Sequence, residues 1–147
     1  TTLAKQLGLY VVMYSPLQMA CDLPENYERH LDAFQFIKDV AVDWDDTKIL
    51  SAEPGDYIHT ARKAKGSENW FVGGVTDENA RDFTVDFSFL EKGKKYEATI
   101  YEDGKNADYE KNPQAYHIYK KVVTNGSKIK VHLARSGGYA ISLKPIK

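Results

Sequence analysis

Three residues carry most of the chemical possibility in this chain: Gln18, Asp22 and Trp70. Asp22 offers a carboxylate that could hold substrate hydroxyls. Gln18 sits among Leu17, Met19 and Ala20, and a buried amide needs partners. It could hold substrate or another carboxylate, or tie two strands together. Trp70 lies in Glu68-Asn69-Trp70-Phe71-Val72-Gly73-Gly74, where an indole face could stack on the C–H face of a pyranose ring. Each has a plainer reading. Asp22 precedes Leu23-Pro24-Glu25, so it suits a helix N-cap that accepts backbone N–H groups. Trp70 suits a core strand facing a second sheet.

Around these three the catalytic inventory is thin. Cys21 has no protease-type His or Asn signature and reads as a small buried hydrophobe. His30, His59, His117 and His132 show no ligand spacing and read as mostly exposed. Asp77-Glu78-Asn79 and Asp103 to Asp108 lack the alternating oxygens and distal Glu of a calcium loop, so both read as solvated turns. Asn125-Gly126-Ser127 matches a glycosylation acceptor, but Asn-Gly already has a turn role. No Ser/His/Asp set, phosphate-cradling loop or metal cluster emerges. A glycosidase needs two carboxylates fixed across a cleft, and the acids of the C-terminal part fall in turns or outward positions. No catalytic residue and no metal or cofactor site is assigned to these residues.

Bulk properties narrow the class. The 147 residues are 42% hydrophobic, enough for one modest core or one domain plus a remnant. A net charge of -1, from 20 basic and 21 acidic side chains, gives no footprint for nucleic acid. The longest apolar run, Leu9 to Met13, is too short to span a bilayer. With one cysteine there is no internal disulfide. The 10 tyrosines, 6 phenylalanines and 2 tryptophans favour β structure.

The positioning elements fall into two parts. Leu3, Leu7, Tyr10, Val11 and Tyr14 have helical spacing, and Pro16 ends that helix. Leu17–Ala20 is expected as a short buried strand. Asp22 caps the next helix, whose inner stripe is Tyr27, Leu31, Phe34, Ile37 and Ala41. A strand apolar throughout belongs to a parallel sheet, and no other βα unit is present, so this part reads as the end of something larger. If it closes a (β/α)₈ barrel, Gln18 and Asp22 lie at the barrel mouth. After Trp44 the period changes to two: Phe83, Val85, Phe87 and Phe89; Tyr96, Ala98 and Ile100; Ile129, Val131 and Leu133. Pro54-Gly55, Gly73-Gly74, Lys92-Gly93, Asp103-Gly104, Asn125-Gly126 and Gly137-Gly138 read as the turns between strands. Asn125-Gly126, between His117–Val123 and Lys128–Leu133, predicts a two-residue hairpin with φ > 0 at both positions. The expected fold is mainly β. Residues 1–44 form a helix–strand–helix barrel remnant, and residues 45–147 form an antiparallel β-sandwich of about eight strands.

Thr2 to Val12 followed by Tyr14-Ser15-Pro16-Leu17-Gln18-Met19-Ala20-Cys21-Asp22-Leu23-Pro24-Glu25-Asn26-Tyr27 closely resembles the end of the catalytic barrel in glycoside hydrolase family 97. Trp70 to Asp77 and Tyr96 to Gly104 resemble that family's C-terminal β-domain. These are α-glucosidases and α-galactosidases of Bacteroides-type bacteria. The resemblance implies a parent with an N-terminal β-sandwich, a central (β/α)₈ barrel and a C-terminal β-sandwich. It also implies α-linked gluco- or galacto-oligosaccharide as substrate, calcium in the parent, and a periplasmic or secreted location. The family's catalytic carboxylates and calcium ligands lie on earlier strands and domains, and none maps here.

Two functions compete. In the first, residues 45–147 are a structural sandwich that supports the barrel and N-terminal domain of the parent or mediates self-association. In the second, Trp70 and exposed tyrosines hold glycan as an accessory module. Exposure of Trp70 separates them. Leu3, Leu7, Val11, Leu31, Phe34 and Ile37 are expected to face barrel neighbours, and a version starting near Asp45 is expected to be more soluble than the whole chain.

Overall fold

The structure is a computed structural model that describes residues 1–146. Helices α1 (Leu3–Val12), α2 (Pro24–Glu28) and α3 (Leu31–Asp39) precede eight strands: β1 (Trp44–Glu53), β2 (Tyr57–Ala64), β3 (Trp70–Thr76), β4 (Arg81–Asp86), β5 (Tyr96–Asp103), β6 (Tyr116–Val123), β7 (Lys128–Leu133) and β8 (Gly138–Pro145). The change of period after Trp44 therefore marks the change from helix to strand. A six-stranded sheet runs β1-β2-β3-β8-β5-β6, and β4 and β7 form a separate two-stranded ribbon. Every pairing is antiparallel.

Alternation along the strands builds two cores on opposite faces of the large sheet. Trp70, Val72, Ala98, Ile100, Tyr139 and Ile141 point toward the ribbon and meet Val85, Ile129, Val131 and Leu133. Phe71, Tyr101 and Ala140 point the other way and meet Leu7 and Val11 of α1 and Ala33 and Phe36 of α3. Phe36 is fully buried, with its ring 5.3 Å from Tyr101 and 6.1 Å from Phe71. The molecule is thus three layers, helices on sheet on ribbon, and the packing crosses residue 44.

Glycine sets how close the helical layer comes. A Cβ on Gly73 would sit 2.5 Å from Gly8 O and 2.8 Å from Val11 Cβ. One on Gly138 would sit 2.6 Å from Gly74 O and 2.8 Å from Lys5 Cα. Gly73-Gly74 is consequently mid-strand in β3 rather than a turn, and Gly138 opens β8. A glycine inside a strand here marks close backbone approach. Charged groups fasten the same layer. Arg62 Nε donates to Val11 O at 2.7 Å, at the carbonyl end of α1 where a cation is favourable. Lys144 Nζ pairs with Asp39 of α3 at 2.9 Å.

Three further expectations are corrected. Leu17–Ala20 forms no strand: the described residues give it no neighbouring strand to pair with, and it runs as a loop. Asn125-Gly126 is not a hairpin turn. β6 pairs with β5 and β7 with β4, so the turn carries the chain from the sheet to the ribbon. Neither Asn125 nor Gly126 has positive φ; among the described residues only Ser136, Gly55, Gly66 and Gly93 do. Of the stripe expected to face absent neighbours, Leu7 and Val11 are buried against the chain's own sheet, while Leu31 is 56% exposed.

Candidate functional site

The feature best suited to recognition is built by the segment between α1 and α3. Pro16 prevents α1 from continuing, and α1 stops at Val12. The loop then folds back on the helix: Gln18 Nε2 donates to Met13 O at 3.1 Å, and Tyr10 Oη donates to Met19 O at 3.3 Å. Pro24 starts α2 at its first position, as its fixed φ favours. The result is a groove of about 640 Å³ lined by Tyr10, Met13, Met19, Tyr27, Phe34 and Ile37 among others. Met13, Tyr14 and Met19 of this lining, and Leu17, Leu23 and Leu31 of the same segment, stand more than half exposed. Six exposed large apolar side chains between Met13 and Leu31 are more than singly scattered surface residues, and apolar patches of this kind mark interaction sites.

Gln18 and Asp22 both line this groove. The Gln18 amide is spent on its own loop. Asp22 Oδ1 accepts from Asn26 Nδ2 at 2.6 Å and from Leu23 N at 2.7 Å. Those bonds, the Asn26 side chain first, hold its carboxyl below the usual carboxylate range. It is therefore an ionised acceptor, unsuited to donating a proton. The N-cap of α2 is Leu23 and the helix has no side-chain cap, so Asp22 orders the turn one residue earlier than expected.

Trp70 cannot serve as a sugar platform. It is 5% exposed, and its ring centroid lies 4.9 Å from that of Phe89, inside the core between sheet and ribbon. Its place in a run with Phe71 and Val72 reflects a strand buried on both faces.

Two polar groups that the sequence reading left at the surface are buried. His59 is 1% exposed, stacked 3.6 Å from Phe83, with Nδ1 3.2 Å from Tyr139 Oη. Burial, helped by nearby Arg81, lowers its pKa to about 4, so the ring is neutral. Asp103 is 3% exposed, and its Oδ2 accepts from Ala134 N at 2.9 Å and Gly138 N at 2.8 Å. Burial raises its pKa despite these amides and the Thr2 side chain. Half-buried Glu102 is raised by the same cause. The expectation that the acids of the β part fall in turns or outward positions is thereby corrected for Asp103 and Glu102. The strand pattern of β5 could have exposed the error, because Asp103 follows Tyr101 on the helix-facing side of its strand. His59 and Asp103 each contact backbone or core rings rather than one another. Among the described residues no three His, Cys, Asp or Glu side chains are grouped to hold a metal ion. The surface can bind another apolar surface.

Comparison with known proteins agrees with this geometry. The family described as Glycosyl-hydrolase 97 C-terminal, oligomerisation, matches residues 43–144. The chain is 43% identical over 143 residues to a retaining alpha-galactosidase of Bacteroides thetaiotaomicron, covering 97% of this chain and 21% of the relative. It is 35% identical over 72 residues to a probable retaining alpha-galactosidase of Streptomyces bingchenggensis, covering 49% of this chain and 11% of that relative. Among solved structures, a glycoside hydrolase family 97 enzyme in complex with acarbose, from Pseudoalteromonas sp. strain K8, matches at a TM-score of 0.98 and 49% identity, over 100% of this chain and 23% of its own. A beta-arabinopyranosidase at 21% identity and a TM-score of 0.75 shares the fold. The chain spans about a fifth of the length of the curated relative that it matches along nearly its whole extent.

Proposed function

Since the chain belongs to glycoside hydrolase family 97, as its C-terminal oligomerisation part, we propose that it is the structural end of an α-galactosidase or α-glucosidase. On this reading the catalytic acids, the calcium ligands and the rest of the sugar subsites sit in parts of the parent enzyme outside these residues. The observation that carries the reading is the division of residues 1–44 into two faces. One is locked to the six-stranded sheet through Leu7, Val11 and Phe36. The other, from Met13 to Leu31, is open and carries six exposed large apolar side chains among its polar ones. A surface that is held rigidly at its back and left apolar in front suits docking against the catalytic barrel. On this reading Gln18 and Asp22, which line the groove on that front, belong to the barrel mouth and its substrate contacts, Asp22 as an ionised acceptor. Residues 43–144 supply the self-association, and the parent acts in the periplasm or outside the cell on α-linked gluco- or galacto-oligosaccharides. The buried state of Trp70 removes the feature that favoured a glycan-binding module.

The test uses the chain as it stands. With nitrophenyl α-galactoside and α-glucoside it should release nitrophenol only at background rate. Added to the remainder of a family 97 enzyme that lacks this part, it should form a stable complex. Replacing Leu17 and Met19 by Asp should weaken that complex. Saturable hydrolysis by the chain alone, surviving repurification, would overturn the proposal.

A further inference from the structure

The turn Thr124–Ser127 joins β6 of the sheet to β7 of the ribbon. Its outer residues are fastened: Ser127 N donates to Thr124 O at 3.0 Å, and Thr124 N donates to Ser127 Oγ at 2.9 Å. Its centre is free. The Gly126 amide makes no hydrogen bond among the described residues. Gly126 is exposed, and nothing lies within 4 Å of where a Cβ would be.

We propose that Asn125 is a site of spontaneous covalent modification. The Gly126 backbone nitrogen, losing its proton to solvent, attacks Cγ of the Asn125 side chain. The N–Cγ bond forms, the Cγ–Nδ2 bond breaks, and the side-chain nitrogen departs as ammonia after taking up a proton. Water opens the resulting five-membered succinimide at either carbonyl, giving aspartate or isoaspartate. Nothing is oxidised or reduced, and solvent supplies the base and the water. The product adds one negative charge. In its iso form it also adds one atom to the main chain where it crosses between layers.

The rest of the molecule provides internal controls. Asn26, Asn69, Asn79 and Asn106 precede Tyr27, Trp70, Ala80 and Ala107, whose side chains crowd the attacking nitrogen. Asn112 precedes Pro113, which has no N–H. Asp103-Gly104 has the right sequence for the related aspartate reaction, but both partners are occupied. Asp103 Oδ2 holds two backbone amides, and Gly104 N donates to Ala115 O at 3.0 Å.

The experiment is incubation of the folded chain in mildly alkaline buffer at body temperature, followed by digestion and peptide mass spectrometry. The peptide carrying Asn125 should gain about one dalton and split into two chromatographic forms, one of them isoaspartyl, while the other asparagine peptides stay unchanged; asparagine is among the thermally labile residues. Asp103-Gly104 should show no isoaspartate. Gly126→Ala should slow the conversion while leaving the fold intact by circular dichroism. An Asn125 peptide that stays unmodified while other asparagines convert, or an equal rate in Gly126→Ala, would overturn the proposal.

Discussion

His59 shows how one buried side chain makes the fold respond to pH. Its folded pKa is about 4, against an ordinary value of 6.5, chiefly because burial penalises the charged ring. Between those values the unfolded chain binds a proton that the folded chain refuses. Stability is therefore full above about pH 6.5, falls as pH drops toward 4, and levels off below it, for a total of about 3 kcal/mol. Asp103, raised by burial, acts in the opposite sense in the acid range, because its folded form holds a proton that the unfolded form releases. Comparing wild type with His59→Phe isolates the histidine. Urea denaturation from pH 7 to pH 4 should show a steep loss in wild type and a shallower one in the variant. Parallel curves would remove His59 from the account. At Asp103 the chemistry is geometric. Asp103→Ala strands two buried amides, at about 1–3 kcal/mol each, and should lower the urea midpoint accordingly.

At the scale of elements the decisive contact is α1 against β3 and β8. Gly73→Ala drives a methyl into Gly8 O and Val11 Cβ, so the helix must move off the sheet. Overpacking of this kind costs roughly 1–3 kcal/mol, and denaturant titration should show it. Gly126→Ala, with open space and ordinary φ, should stay within about 0.5 kcal/mol of wild type in the same titration. The contrast explains what the sequence made legible. The burial of Tyr96, Ala98 and Ile100, and of Ile129, Val131 and Leu133, was readable because alternation is a local property of a strand. Partner choice is not local. Asn125-Gly126 between two strand runs looks the same whether those strands pair or part into different layers. Glycines in strands carry the same ambiguity: Gly73 resembles a turn because its real cause, the close approach of Gly8 and Val11 in a helix far back in the chain, leaves no local mark. Asp22 and Gln18 stand out by residue type, but their place in a loop is not legible locally, because Leu17–Ala20 reads as a strand whose partners these residues do not provide.

For the whole molecule, the central claim is that residues 1–44 are the third layer of one folded body, with a back face bound to the sheet and an open apolar front. Phe71, Tyr101 and Ala140 are at most 3% exposed because α1 and α3 cover them. Uncovering a large apolar side chain costs roughly 1.5–3 kcal/mol. Trimming the chain at Asp45 is therefore expected to lower solubility rather than raise it, because the cut would bare the sheet. Arg62 adds to the loss, since its bonds to Val11 O and Val12 O would have no acceptor. The most direct measurement is thermal unfolding with light scattering, on the full chain and on a version beginning at Asp45. The account predicts one cooperative transition for the full chain, and a lower, less cooperative transition with aggregation for the shorter one. A shorter version that is monomeric, soluble and as stable as the whole would contradict it.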